Sequence, residues 1–77
     1  MVEITTEQRD ETIIASGMGF DIAWQMDHYE GVRENHRLAA MQLAWQLGLP
    51  TKGWINGGSP RAGGGRYFLP KGAIENG

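Results

Sequence analysis

Arg61 and Arg66 stand inside the segment WINGGSPRAGGGRYFLP, residues 54–70, with Lys52 and Lys71 just outside its two ends. Cations spread along a glycine-rich run suit contact with phosphate, because glycines keep side chains out of the way while each cation neutralises one negative charge. The run is not a nucleotide-binding loop. It lacks Gly-x-x-x-x-Gly-Lys-Ser/Thr, and no strand-before, helix-after context surrounds it. His28 and His36 lie eight residues apart, and without cysteine or a His-x-x-x-His spacing they do not supply the three or four convergent ligands of a zinc site. Ser16 and Ser59 have no nucleophile-elbow context, and the carboxylates read as a solvated face. A non-enzymatic protein is expected, with no metal, no cofactor and no small-molecule substrate.

Acidic residues are concentrated elsewhere. The net charge of −2 divides into −6 over residues 1–30 and +4 over residues 31–77. Such a split in 77 residues points to a polyanion or an acidic surface meeting one half, or to two halves that attract each other on folding. Glu7, Asp10 and Glu11 are the acidic group that would engage a basic partner. The absence of cysteine excludes a disulfide-stapled secreted scaffold. No stretch approaches the roughly 20 apolar residues of a membrane span, and no signal peptide opens the chain, so a cytoplasmic protein is expected.

The elements that must position these residues follow from periodicity. Residues 1–4 alternate apolar and polar groups as a short edge strand would. Thr5 and Gln8 have the spacing of a capping box, which predicts a first helix over about 6–16, stopped at Gly17-Met18-Gly19. Asp21 serves as the N-cap of a second helix, with Ile22, Met26 and Tyr29 along one stripe. A third helix, about 32–47, is rich in good helix formers and predicts Leu38, Leu43, Trp45 and Leu47 as buried. It ends with Gly48 in the left-handed conformation, Leu49 folding back, and Pro50 preventing continuation. Residues 51–56 read as one or two further helical turns, and Arg66 to Leu69 as a strand carrying the aromatic pair Tyr67-Phe68. Trp24 and Trp45 read as core, whereas Trp54 borders the basic segment.

Ala44, Gly48, Leu49 and Trp54 match the spacing of a helix-turn-helix unit, with Leu43 and Leu47 on the inner face. The order Trp54, Pro60, Gly65-Arg66-Tyr67, Leu69-Pro70, Ala73-Ile74 resembles the small bacteriophage and plasmid excisionases, and more distantly the winged helix-turn-helix domain of MerR-type regulators. The resemblance covers residues 38–74, less than half the chain. It implies that Lys52 and Asn56 lie on a recognition-helix face, Arg61 at a wing tip and Arg66 on a wing strand. The acidic first thirty residues have no counterpart in that family, and the chain is acidic where the family is typically basic.

The resulting expectation is one small domain over residues 1–77, with an acidic helical part, 1–30, and a basic helix-turn-helix-like part, 31–77, containing a glycine-rich loop, 57–65. Its fold class is mainly α with a small C-terminal β element (α+β): three helices plus a winged-helix-like hairpin. Its function is that of an accessory factor binding double-stranded DNA through Lys52, Asn56, Arg61, Arg66 and Lys71. The alternative is a small phage-type protein that binds and inhibits or modulates a host protein through Glu7, Asp10 and Glu11.

Overall fold

Val2, Ile4, Thr5 and Thr6, followed by Thr12, Ile13 and Ile14, are β-branched residues that suit a pleated surface better than a helix. The computed structural model, which describes residues 1–61, 64–70 and 72, with 59–61 described by backbone alone, shows that this preference prevails over the capping-box spacing. The elements in chain order are β1 (Val2–Arg9), β2 (Thr12–Gly17), β3 (Phe20–Gln25), α1 (Val32–Gln46), β4 (Ile55–Arg61) and β5 (Gly64–Leu69). The strands form one antiparallel sheet in the order β3-β2-β1-β5-β4.

The expected fold class is therefore corrected: the protein is mainly antiparallel β with one long helix, not a three-helix winged domain. The two hairpins of the first half explain the reversal. Arg9 pairs with Thr12 around a two-residue turn in which Asp10 takes φ 56°. Gly17 pairs with Phe20 around Met18-Gly19, both of positive φ, the geometry that matches strand twist. Gly17-Met18-Gly19 thus turns a strand back rather than stopping a helix. Asp21 lies within β3 and caps nothing, and Tyr29, expected on an apolar stripe, is fully exposed.

The opening edge strand is in fact the centre of the sheet. β1 pairs with β2 on one side and with β5 on the other, the latter from Val2 opposite Leu69 to Glu7 opposite Gly64. The acidic and basic parts are thereby joined in the middle of a single sheet. Residues 51–53 form a bend rather than a recognition helix, because Gly53 adopts φ 86° just after Pro50 and the chain enters β4 at Ile55. The expected strand over 66–69 lies within β5. Most of the expected glycine-rich loop is strand, leaving only residues 62 and 63 between β4 and β5.

Alternation along β1 and β2 sends Ile4 and Thr6, and Ile13 and Ala15, to one face, where they are buried. That face receives α1 through Ala39, Ala40, Leu43 and Ala44, joined by Tyr67 from β5. Three alanines at the contact let the helix axis approach the sheet closely. Leu43 is buried and Leu38 and Leu47 are half-buried, but Trp45 is 68% exposed, so its expected core role is corrected. Its side chain leaves the helix beside the buried stripe instead of along it.

The helix stop follows the expected chemistry. Leu49 N–H donates to Ala44 O at 2.9 Å and Gly48 N–H to Trp45 O at 3.1 Å, with Gly48 at φ 75°. At the other end, Asn35 ties the β3–α1 connection together. Its Oδ1 accepts from Asp27 N–H at 2.7 Å and from Trp24 Nε1–H at 3.3 Å, and its Nδ2 donates to the carbonyls of Asp27, Glu30 and Gly31. No helix among the described residues is long and apolar enough to cross a membrane.

Candidate functional site

A cleft of about 330 Å³ opens between one flank of α1, the bend at 51–53 and the first residues of β4. Arg37 and Met41, one helical turn apart, form its helix side. Trp54 forms another wall, held by its Nε1–H donating to Pro50 O at 2.7 Å. Asn56 and Tyr67, cross-strand neighbours on β4 and β5, form the floor, and Lys52 stands at the mouth on the bend made by Gly53.

The charges of this cleft are unequally committed. Arg37 donates from Nε to both carboxylate oxygens of Glu34, at 2.8 and 3.1 Å, and its Nη2 also pairs with Glu34. That hydrogen bonding holds the Glu34 carboxyl below its usual value and the Arg37 guanidinium above its own. Lys52 is exposed and has no ion-pair partner among the described residues. Asn56 Oδ1 accepts from Gly58 N–H at 3.0 Å, which leaves its amide NH₂ to donate elsewhere. Tyr67 is 2% exposed, its hydroxyl has no hydrogen-bond partner among the described residues, and burial pushes its pKa up. It is therefore a neutral phenol at neutral pH, closed off from solvent. The cleft thus offers a free cation, an amide donor and an indole, which suits an anionic ligand with a planar ring.

Of the residues expected to contact nucleic acid, Lys52 and Asn56 meet here. Arg66 does not join them. It lies on the uncovered face of the sheet, where its Nε donates to Glu3 Oε2 at 2.7 Å and its guanidinium sits 5.2 Å from the Phe68 ring centroid. Arg61 ends β4 opposite Gly64, and Lys71 lies outside the described residues. The recognition-helix placement of Lys52 and Asn56 is therefore replaced by a cleft, whereas Arg61 at the end of β4 and Arg66 on β5 do occupy a hairpin end and a hairpin strand.

The acidic group is also divided. Glu7 accepts from Arg9 Nε and Nη2 at 3.1 and 2.9 Å, whereas Asp10 and Glu11 form the exposed β1–β2 turn, Glu11 lying 3.6 Å from His28. A second hollow, about 340 Å³, lies on the uncovered sheet face between Glu7, Arg9 and Asp21. Its two acids and one base make it less suited to an anion than the cleft. His28 and His36 do not converge: His28 is exposed, while His36 is fully buried with Nδ1 2.7 Å from Thr6 Oγ1. Burial lowers the His36 pKa, and its Nε2 has no partner among the described residues.

Sequence reasoning missed Arg37, Met41 and Tyr67 as cleft residues and Asn35 as an organising one. Arg37 and Met41 carried a signal in their i, i+4 spacing, but the surface facing them is built by a strand some thirty residues away. Compared with protein-family models, curated protein sequences and solved structures, the chain matches none.

Proposed function

We propose that the protein is a non-enzymatic nucleic-acid-binding accessory factor of the cytoplasm whose contact surface is the cleft around Lys52. The observation supporting this reading is the convergence of Lys52 and Asn56 with Trp54 in one hollow, closed on one side by the buried Tyr67. A volume of about 330 Å³ falls at the lower end of the roughly 300–1,000 Å³ of small-ligand clefts. It suits one nucleotide unit rather than a duplex groove. The chain has no recognition helix over residues 51–53, so the helix-in-groove contact implied by the excisionase resemblance is replaced by this cleft. An unpaired base against Trp54, with its phosphate on Lys52 and the Asn56 amide donating to the base edge, uses the groups the cleft leaves open to solvent.

Fluorescence anisotropy with a single-stranded oligonucleotide and a random duplex, each at two salt concentrations, tests this. The single strand binds more tightly than the duplex, and Lys52→Ala lowers its salt slope by about 0.7. Absence of binding to either nucleic acid at about 50 mM salt overturns the proposal. That result would favour the alternative, docking of a basic host protein on the exposed Asp10-Glu11 turn, where neutralising Asp10 and Glu11 abolishes the complex.

A further inference from the structure

The two edges of the sheet differ in a way that bears on assembly. β4 is a poor template for another strand: its pairing with β5 shifts register between Asn56 and Gly58 and again between Gly58 and Arg61, and Pro60 has no N–H to offer. β3 has none of these devices. It pairs with β2 over six consecutive residues, Phe20 to Gln25, without a shift, and contains neither proline nor lysine.

The direction of its free backbone groups follows from one bond. Met26 N–H donates to Glu11 O at 2.9 Å, towards the β2 side. Successive residues of a strand direct their N–H and C=O to opposite edges, so Trp24, Ile22 and Phe20 also face β2. Asp21, Ala23 and Gln25 face outward, and among the described residues nothing hydrogen-bonds to their main-chain groups. All three are exposed.

We infer that β3 is a docking edge for a second copy of this chain, the two β3 strands pairing antiparallel about a two-fold axis at Ala23. In this register Ala23 faces Ala23 of the second copy and Asp21 faces Gln25, so all three outward residues of each strand exchange N–H···O bonds. No like charges are opposed. On the helix-covered side Ile22 stands opposite Trp24, and Phe20, 63% exposed in one copy, stands opposite Met26. Sliding the strands to place Asp21 opposite Ala23 would leave Gln25 facing the Met18-Gly19 turn and forfeit its bonds. The contact is short, below the roughly 1,000 Å² of a stable interface. Self-association therefore belongs to the weak, transient class and shows only at high protein concentration.

Sedimentation equilibrium of the full chain up to about 1 mM tests the inference. Wild type forms a dimer. Ala23→Pro, which removes an outward N–H that the β2 pairing does not use, weakens association at least about tenfold. Ala23→Lys and Ala23→Glu each weaken it by placing like charges opposite one another, and an equimolar mixture of the two regains dimer. These exposed substitutions keep the assay informative should the proline variant fold poorly. A wild-type chain that remains monomeric at the highest concentration overturns the inference. So does a wild-type dimer for which the lysine and glutamate variants show no mutual rescue, since its interface then lies elsewhere.

Discussion

Arg66 Nε donates to Glu3 Oε2 at 2.7 Å, joining residues 63 positions apart in the chain. The pair crosses the β1–β5 junction, where the acidic and basic halves of the sequence meet. Part of the charge asymmetry is thus consumed inside the molecule. Both side chains are substantially exposed, at 59% and 39%, so the pair contributes only about 0–1 kcal/mol. Arg66→Glu, which sets two carboxylates together, lowers stability by about 1 kcal/mol, and adding Glu3→Arg restores much of it. Urea unfolding of the four-member cycle measures the coupling, and a value near zero would mean that Arg66 is held by Phe68 alone.

His36 makes stability depend on pH. Burial lowers its pKa below the ordinary 6.5, so between the two values the unfolded chain binds more protons than the folded protein. The contribution is present in full above pH 6.5 and is lost as pH falls towards the folded-state value. His36→Gln, which cannot titrate, flattens this limb of the profile. Thermal melts of both proteins across the range show it, and parallel acid limbs would exclude His36 as the source.

Asn35 is fully buried and makes five hydrogen bonds around the β3–α1 connection. Asn35→Leu keeps the volume but strips partners from Asp27 N–H, Trp24 Nε1–H and three carbonyls. An expected loss of about 3 kcal/mol follows, since each buried orphan costs about 1–3 kcal/mol and solvent can reach some of the loop groups. Chemical denaturation checks the magnitude. Faster amide exchange at Asp27 would show that the connection has opened.

Gly57 gives the glycine-rich run part of its physical reason. A Cβ built there would lie 2.1 Å from Phe68 Cε2, so the ring occupies the space a side chain would need. Gly57→Ala destabilises by about 1–3 kcal/mol through overpacking. In a Phe68→Ala background the same substitution changes stability by less than about 0.5 kcal/mol. Equal costs in both backgrounds would place the strain in the backbone instead.

What could be read from the sequence was local. The helix expected over about 32–47 and its Gly48-Leu49 stop depend on residues within five positions of one another, and the structure has the helix over Val32–Gln46 with that stop. Thr5 to Gln8 also has a local reading, as a capping box, and there the local reading lost. Six residues of β1, Val2 to Glu7, pair with β5 at separations of 57 to 67 residues, which no window of sequence reveals. The alternation of Ile4 and Thr6, then Ile13 and Ala15, was present but interrupted by polar residues on the inner face, Thr6 among them. The cleft was half legible: Lys52 and Asn56 stood out by type and nearness to Trp54, whereas Arg37 and Tyr67 reach it only through the packing of α1 on β5.

The central place of β1 also has a consequence for the order of events during synthesis. Residues 2–46 contain two hairpins with local turns and the helix that covers them, tied to β1 by contacts such as Thr6–His36, 30 positions apart, so they can assemble before β5 is made. Yet β1 then remains a bare edge until residues 64–69 are made, and β4, whose sheet neighbour is β5, joins the sheet only through that strand. Closing so long a loop is slow relative to hairpin formation. The nascent chain therefore waits with its middle strand uncovered, and that interval, rather than the finished fold, is when a folding helper or an unwanted neighbour has its chance.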